Sequence, residues 1–340
     1  KKLKWIFQTA NDVILLSSSG TGAMEATMVN LHSPGDSILT INCGKFGARW
    51  TKIAKSYGLN VTELTAPAGK VVSAKEVADA LKKNSAIKAV YWQASETSTG
   101  AELSNQEILK AVKENSNALT IIDAITALGV IPLPMDAWGI DVLITGSQKA
   151  LMIPPGLSVL SLSDKAWSAA ATAKLPKFYF DLQKERATLK KGQTSWTPAT
   201  TLIHALNHAL EMMEEEGLEN LFKRHKTLAR ATRAGIAALG LELFAAENPS
   251  TAVTSIKVPS LISDGKLIPK TMRDTWGVTI SGGQDELEGK IFRLTHLGYI
   301  DSFDVITGLS SLELTLHQLG YKNFKFGDSV GAALKIFSEE

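Results

Sequence analysis

The 340-residue sequence predicts an α/β protein: a mostly parallel seven-stranded sheet with helices on both faces, followed by a smaller C-terminal α+β region. Three observations carry this. Short β-rich runs alternate with helical patterns through the first two-thirds of the chain. Apolar residues make up 44% and charged residues 21%, so a large core can be buried. Small, hydroxyl-bearing or charged residues recur just beyond the apolar runs, where parallel sheets bind their ligands.

The seven candidate strands are residues 13–16, 37–41, 61–64, 86–92, 119–122, 142–145 and 157–162, each rich in branched or aromatic side chains. Helical patterns lie between them at 23–31, 47–57, 74–82 and 105–114. Ser104 ahead of Asn105-Gln-Glu107 supplies a side-chain acceptor before an acidic first turn, which marks a helix start. Residues 199–239 read as two helices broken near Gly217, the second carrying its charges on one face. Beyond it, β-rich runs at 253–258, 278–280 and 291–294 precede a last long helix at 302–319. Residues 327–337 fit either a short helix or a loose tail. The expected division is a large domain over 1–215 and a small one over 216–340.

Charge is balanced, 36 basic against 34 acidic residues, so nothing calls for nucleic acid or an anionic membrane as partner. The single cysteine, Cys43, excludes an internal disulfide and any cysteine-built metal or iron–sulfur site within one chain. A buried thiol is its expected role. No apolar run approaches a membrane span, and the apolar stretch after Lys1-Lys-Leu-Lys is too short for a signal peptide. The expected location is cytoplasmic.

Three strand ends carry chemistry. Lys149 follows the apolar run Val142-Leu-Ile-Thr and precedes the rigid Pro154-Pro-Gly156. Asp123 ends Leu119-Thr-Ile-Ile. Ser17-Ser-Ser19-Gly20-Thr21-Gly22 opens into a helical pattern whose first N–H groups suit a phosphate. Taken singly, each has an ordinary reading: a solvated lysine, a helix-capping aspartate, a strand-to-helix turn. Together, an amine, a carboxylate and a phosphate loop are what pyridoxal phosphate needs. The loop meets neither the dinucleotide nor the P-loop pattern. Thr97, in Glu96-Thr-Ser-Thr-Gly100, offers a hydroxyl, and Phe46 a ring able to stack on a heterocycle. Arg293 stands among apolar neighbours in Ile291-Phe-Arg293-Leu, where a guanidinium needs a partner such as a carboxylate. Arg49 and Arg186 read as structural or surface groups. His204 and His208 have metal-ligand spacing but no third ligand, so no metal is expected.

These blocks resemble the class V branch of the fold-type I pyridoxal-phosphate aminotransferases, and within it the alanine–glyoxylate, or serine–pyruvate, aminotransferase family. The likeness runs from about Ser17 to Leu319 and is most specific in Glu96-Thr-Ser-Thr-Gly100, Ile122-Asp123-Ala, Met135-Asp-Ala-Trp-Gly-Ile-Asp through Lys149, and Pro154-Pro-Gly156. The resemblance implies that Lys149 holds the cofactor as a Schiff base and Asp123 pairs with the pyridine nitrogen. Ser19, Gly20 and Thr21 would bind the phosphate, with Gln148 assisting. Phe46 stands where the family often has a tryptophan on the ring, Thr97 beside the phenolic oxygen, and Arg293 at the substrate carboxylate. Gln193 and Thr197 would cross to the neighbouring subunit's phosphate in a homodimer. The activity implied is transfer of an amino group from alanine or serine to glyoxylate or pyruvate. The family usually has a further N-terminal stretch with a Gly-Pro-rich loop, which the sequence given lacks. Other class V chemistries fit less well: a lyase needs a mobile cysteine, and a phosphonate or phosphoserine aminotransferase needs extra cations. A subunit that kept the fold without the activity is the alternative from another class.

Overall fold

The computed structural model describes residues 1–339. Its centre is a seven-stranded sheet built from β1 (Val13–Leu16), β2 (Ser37–Asn42), β3 (Asn60–Thr65), β4 (Ile87–Gln93), β7 (Leu119–Asp123), β8 (Val142–Gly146) and β9 (Ser158–Leu162), in the order β1-β9-β8-β7-β4-β2-β3. The pairs among β8, β7, β4, β2 and β3 are parallel, and only β9 runs against the rest. A two-stranded hairpin, β5 (Ser95–Glu96) and β6 (Ala101–Glu102), follows β4.

The sheet is apolar on both faces because helices cover both. On β4, Val90 and Trp92 enter one core with Ile122 and Leu143, while Ala89 and Tyr91 enter the other with Ile121, Val142 and Ile144. This alternation is the two-residue period of a strand. Crossovers are made by α2 (Gly20–Leu31), α3 (Lys45–Ser56), α4 (Ala74–Lys83) and α5 (Asn105–Asn115), with α1 (Lys2–Phe7) ahead of them and α6 (Met135–Trp138), α7 (Asp164–Ala170) and α8 (Leu182–Leu189) behind. Ser73 and Glu76 form a reciprocal capping box at the start of α4. Ser104 does not cap α5 through its side chain, contrary to expectation. Asn105 beside it is instead drawn inward, accepting from Trp92 Nε1 at 3.0 Å and donating to the carbonyls of Ala94 and Leu103.

After α9 (Thr200–Glu216), the chain turns at Gly217, with φ of +83°, into α10 (Leu218–Ala238). A second core follows, where α10, α12 (Ser302–Gln318) and α13 (Asp328–Ser338) pack on an antiparallel sheet of β10 (Val253–Lys257), β12 (Ile291–Thr295) and β11 (Ser281–Gly282). Helix α11 (Leu267–Trp276) precedes β11. The last stretch is thus helical. Residues 278–280, expected as a strand, lie outside it; only Ser281 and Gly282 pair, against Arg293 and Phe292. No helix among the described residues is long and apolar enough to cross a membrane.

Candidate active site

The carboxyl ends of β1, β7 and β8 open on a cavity of about 280 Å³. It is lined by Ser19, Gly20 and Thr21 from the start of α2, Phe46 and Arg49 from α3, Ser95 and Thr97 from the β5–β6 hairpin, Asp123, Ile125 and Thr126 beyond β7, and Gln148 and Lys149 beyond β8. Eight of the ten expected cofactor residues therefore meet in one place, as do Arg49, Ser95, Ile125 and Thr126, which were not expected. A parallel sheet explains the convergence: its loops on one edge face the same side.

Lys149 sits in a turn anchored by Ser147. That serine's Oγ donates to the carbonyl of Pro154 at 2.8 Å and accepts from Leu157 N at 3.2 Å. Its backbone N–H donates to the carbonyl of Leu157 at 3.0 Å. Met152, which closes the turn onto the Lys149 carbonyl at 3.0 Å, has φ of +61°, an uncommon left-handed conformation held by this bracing. The Lys149 ammonium is lowered below the usual lysine range, first by burial, then by the Arg293 cation, while Asp123 opposes. An amine that loses its proton readily is the form that attacks a carbonyl.

Asp123 is 5% exposed and ends β7. Its Oδ1 accepts from Ile125 N at 2.8 Å. Burial pushes its carboxyl up to about 7, reinforced by Glu96 and opposed by that hydrogen bond and by Arg49 and Lys149. A cation placed against it would restore the ionised form.

Helix α2 starts at Gly20, earlier than its apolar pattern suggested, so Gly20 and Thr21 lie in its first turn. Ser19, the exposed N-cap, makes no side-chain cap bond. Helix dipole, first-turn N–H groups and that hydroxyl make an anion cradle at the cavity wall. Across it Phe46 presents its ring, with the Arg49 guanidinium 4.9 Å from the ring centroid. Arg49 Nη1 donates to Thr21 Oγ1 at 2.8 Å. Arg49, expected as a structural or surface group, thus ties two walls of the cavity together. Its spacing of three from Phe46, which puts both on one helix face, was the available signal. Arg186 does hold a packing role, donating from Nε to Asp12 at 3.0 Å and lying over Trp167.

Thr97 and Thr126 share a hydrogen bond of 2.7 Å between their hydroxyls. Arg293 is 6% exposed. Its Nη1 donates to the Thr97 carbonyl at 2.7 Å, while Nε and Nη2 donate to the Gly282 carbonyl at 3.1 and 2.9 Å. Of a guanidinium's five hydrogens, these bonds leave one on each terminal nitrogen. Two hydrogens thus remain for a further acceptor, although Arg293 itself is not among the residues lining the cavity. Gln193 and Thr197 are exposed and lie outside the cavity lining. His204 and His208 are also exposed, and among the described residues no three His, Cys, Asp or Glu are grouped to hold a metal. Cys43 is buried, with its thiol pushed up to about 11 by burial, and lies outside the cavity.

The cavity suits pyridoxal phosphate on these observations: a poised amine, a buried acid, an aromatic wall and an anion cradle within one enclosure. The family profile described as "Aminotransferase class-V" matches residues 1–288. The soluble hydrogenase 42 kDa subunit of Anabaena cylindrica is 46% identical over 99% of this chain and 88% of its own length. The L-aspartate–glyoxylate aminotransferase of Paracoccus denitrificans is 34% identical over 97% of this chain and 84% of its own. Among solved structures, the alanine–glyoxylate aminotransferase of Nostoc sp. superposes with a TM-score of 0.86 at 30% identity, covering 93% of this chain and 84% of the other.

Proposed function

The chain belongs to the class V aminotransferases, pyridoxal-phosphate-dependent transaminases of fold-type I, and from that premise we propose how its own residues divide the work. The carrying observation is the meeting of Lys149, Asp123, Phe46 and the first turn of α2 around one cavity. When bound there, the cofactor supplies a carbonyl that condenses with amines and a ring that accepts carbanion charge.

Lys149 Nζ would hold the cofactor covalently, and as a free amine it is the base that would take the amino acid's α-proton and deliver it to the cofactor carbon that bore the Schiff base. Burial and the Arg293 cation keep that nitrogen ready to lose its own proton. Asp123 would bring a negative charge to the pyridine nitrogen and keep that nitrogen protonated. Ser19, Gly20 and Thr21 take the phosphate, with Gln148 on the same side. Phe46 would stack on the ring and Thr97 would donate to the phenolic oxygen. Arg293 clamps the α-carboxylate with its two remaining hydrogens, which orients the α-proton toward Lys149. Residues 1–215 form the cofactor-binding domain and 216–340 the small domain that brings Arg293.

The substrates proposed are alanine or serine as donor and glyoxylate or pyruvate as acceptor. Glyoxylate is in the names of both the Paracoccus and Nostoc proteins, whereas their donors differ. A small donor fits this cavity because Arg49, the guanidinium in its lining, is engaged by Thr21 and Phe46. The exposed Gln193 and Thr197 fit a role toward a second subunit's phosphate in a cytoplasmic homodimer.

The test is the visible absorbance of the cofactor-loaded protein with and without L-alanine, followed by glyoxylate. Alanine should bleach the band near neutral pH and glyoxylate should restore it, with glycine and pyruvate formed. A spectrum indifferent to alanine, serine and aspartate alike would leave a subunit that has kept only the fold.

A further inference from the structure

Helix α3 carries Phe46 and Arg49 to the cavity, yet its own sequence cannot cap it. Its N-cap is Gly44, which has no side chain to accept the first-turn N–H groups. Glu96 takes them instead, from the β5–β6 hairpin. Its carboxylate accepts from Phe46 N at 3.2 Å and Gly47 N at 2.9 Å, the donors that an N-cap side chain would ordinarily satisfy. It also accepts from Ser98 N at 3.1 Å and Ser98 Oγ at 2.5 Å, and Ser98 Oγ in turn accepts from Lys45 N at 3.0 Å. Glu96 has no exposed surface.

Gly44 is what admits this carboxylate. A Cβ there would stand 2.8 Å from Glu96 Cδ and 2.5 Å from Ser98 Oγ, and its φ of +156° favours glycine. A negative charge at a helix N-terminus is further stabilised by the aligned peptide dipoles. Burial raises the Glu96 carboxyl while its hydrogen bonds from Ser98, Gly47 and Phe46 lower it. The same residue precedes Thr97, whose hydroxyl lines the cavity and whose carbonyl holds Arg293.

We propose that Glu96 is a positioning residue for the cofactor, acting as a cap from a distant segment that sets the first turn of α3 and with it the ring of Phe46. It need not touch cofactor or substrate. The inference rests on the reading of the cavity as the cofactor site.

The experiment compares the wild type with Glu96→Gln and with a control, Glu102→Gln. Glu102 also accepts a backbone N–H, but from Thr251 at 2.9 Å rather than from the first turn of α3. Three readouts are taken: hydrogen exchange at the Phe46 and Gly47 amides of the cofactor-free protein, the dissociation constant for pyridoxal phosphate, and the visible circular dichroism of the bound cofactor. Glu96→Gln should speed exchange at both amides. It should weaken cofactor binding by about ten- to a hundredfold, the range for losing a hydrogen bond to a charged group, and alter the visible dichroism. Glu102→Gln should leave cofactor affinity and dichroism as in the wild type. Unchanged affinity and dichroism in Glu96→Gln, or equal losses in Glu102→Gln, would overturn the proposal. If Glu96→Gln does not fold, Glu96→Asp takes its place: a carboxylate withdrawn by one methylene should shift all three readouts in the same directions, and unchanged values count against the proposal. A wild type that takes up no pyridoxal phosphate defeats the functional reading itself, whereas normal uptake beside an unaffected Glu96→Gln defeats only this inference.

Discussion

Arg49 is bonded to Thr21: its Nη1 donates to the threonine Oγ1 at 2.8 Å, joining the helix that carries Phe46 to the helix whose first turn lines the cavity. The same guanidinium lies over the Phe46 ring, so one side chain fixes both walls of the cavity relative to each other. Replacing Arg49 by Met removes the hydrogen bond and the cation while keeping much of the aliphatic bulk. Affinity for pyridoxal phosphate should fall about tenfold. A titration of the cofactor-free variant followed by fluorescence reads this directly, and wild-type affinity would make Arg49 a bystander.

Lys149 is the predicted attachment point. Borohydride treatment of the cofactor-loaded protein should place the cofactor's mass on the peptide containing Lys149, and Lys149→Ala should abolish that label. Mass spectrometry locates it. Label on a different lysine would transfer the role elsewhere.

Asp123→Asn should lower the single-turnover rate with alanine at least about a hundredfold, worth about 2.7 kcal/mol, with the fold intact. Near-normal rates in stopped flow would remove Asp123 from the ring nitrogen. The same variant has a signature without cofactor. Burial pushes the Asp123 carboxyl from 3.8 up to about 7 in the folded protein, so between those values the folded state keeps a proton that the unfolded chain has released. Its contribution to stability is full below the lower value and is lost as pH rises to the upper one. His32 and His225, both lowered from 6.5 to about 4 chiefly by burial, act oppositely and destabilise as pH falls through that window. The difference in Tm between wild type and Asp123→Asn cancels the histidines. From pH 4 to 7 the wild type should lose ground to the variant; a constant difference would contradict the raised carboxyl.

Arg293→Lys keeps the charge but loses the fork that bridges the carbonyls of Thr97 and Gly282 with two hydrogens to spare. KM for the amino acid should rise by about tenfold or more, with cofactor absorbance unchanged. In the wild type, alanine, serine and glyoxylate should surpass aspartate, glutamate and 2-oxoglutarate in steady-state kcat/KM. A preference for the dicarboxylates would mean that Arg49 leaves Thr21 to meet a second carboxylate.

Much of the site was legible because its chemistry is placed by local rules. Asp123 and Lys149 follow apolar β-rich runs, and such runs end where the backbone leaves the sheet. Their meeting follows from the parallel order β4-β7-β8, which strand–helix alternation already implies. The break at Gly217 was equally visible, as a glycine between two helical patterns. Edges were harder. Ser281 and Gly282 are strand only because Arg293 and Phe292 pair with them, and nothing in their own composition asks for it. Ser104 has the composition of a side-chain cap, but the drawing of Asn105 toward Trp92 leaves it without that bond.

The sequence by itself determined the class of architecture and placed an amine, an acid and a hydroxyl-rich loop at strand ends, because periodicity and turn chemistry act over a few residues. Only the tertiary structure decided that Arg49 belongs to the cavity, since that depends on which face of α3 turns toward Thr21. Only it decided that Glu96 caps a helix whose first-turn donors lie 50 and 49 residues earlier. A buried carboxylate must find its hydrogen-bond donors wherever the packed chain brings them, and sequence separation places no limit on that search.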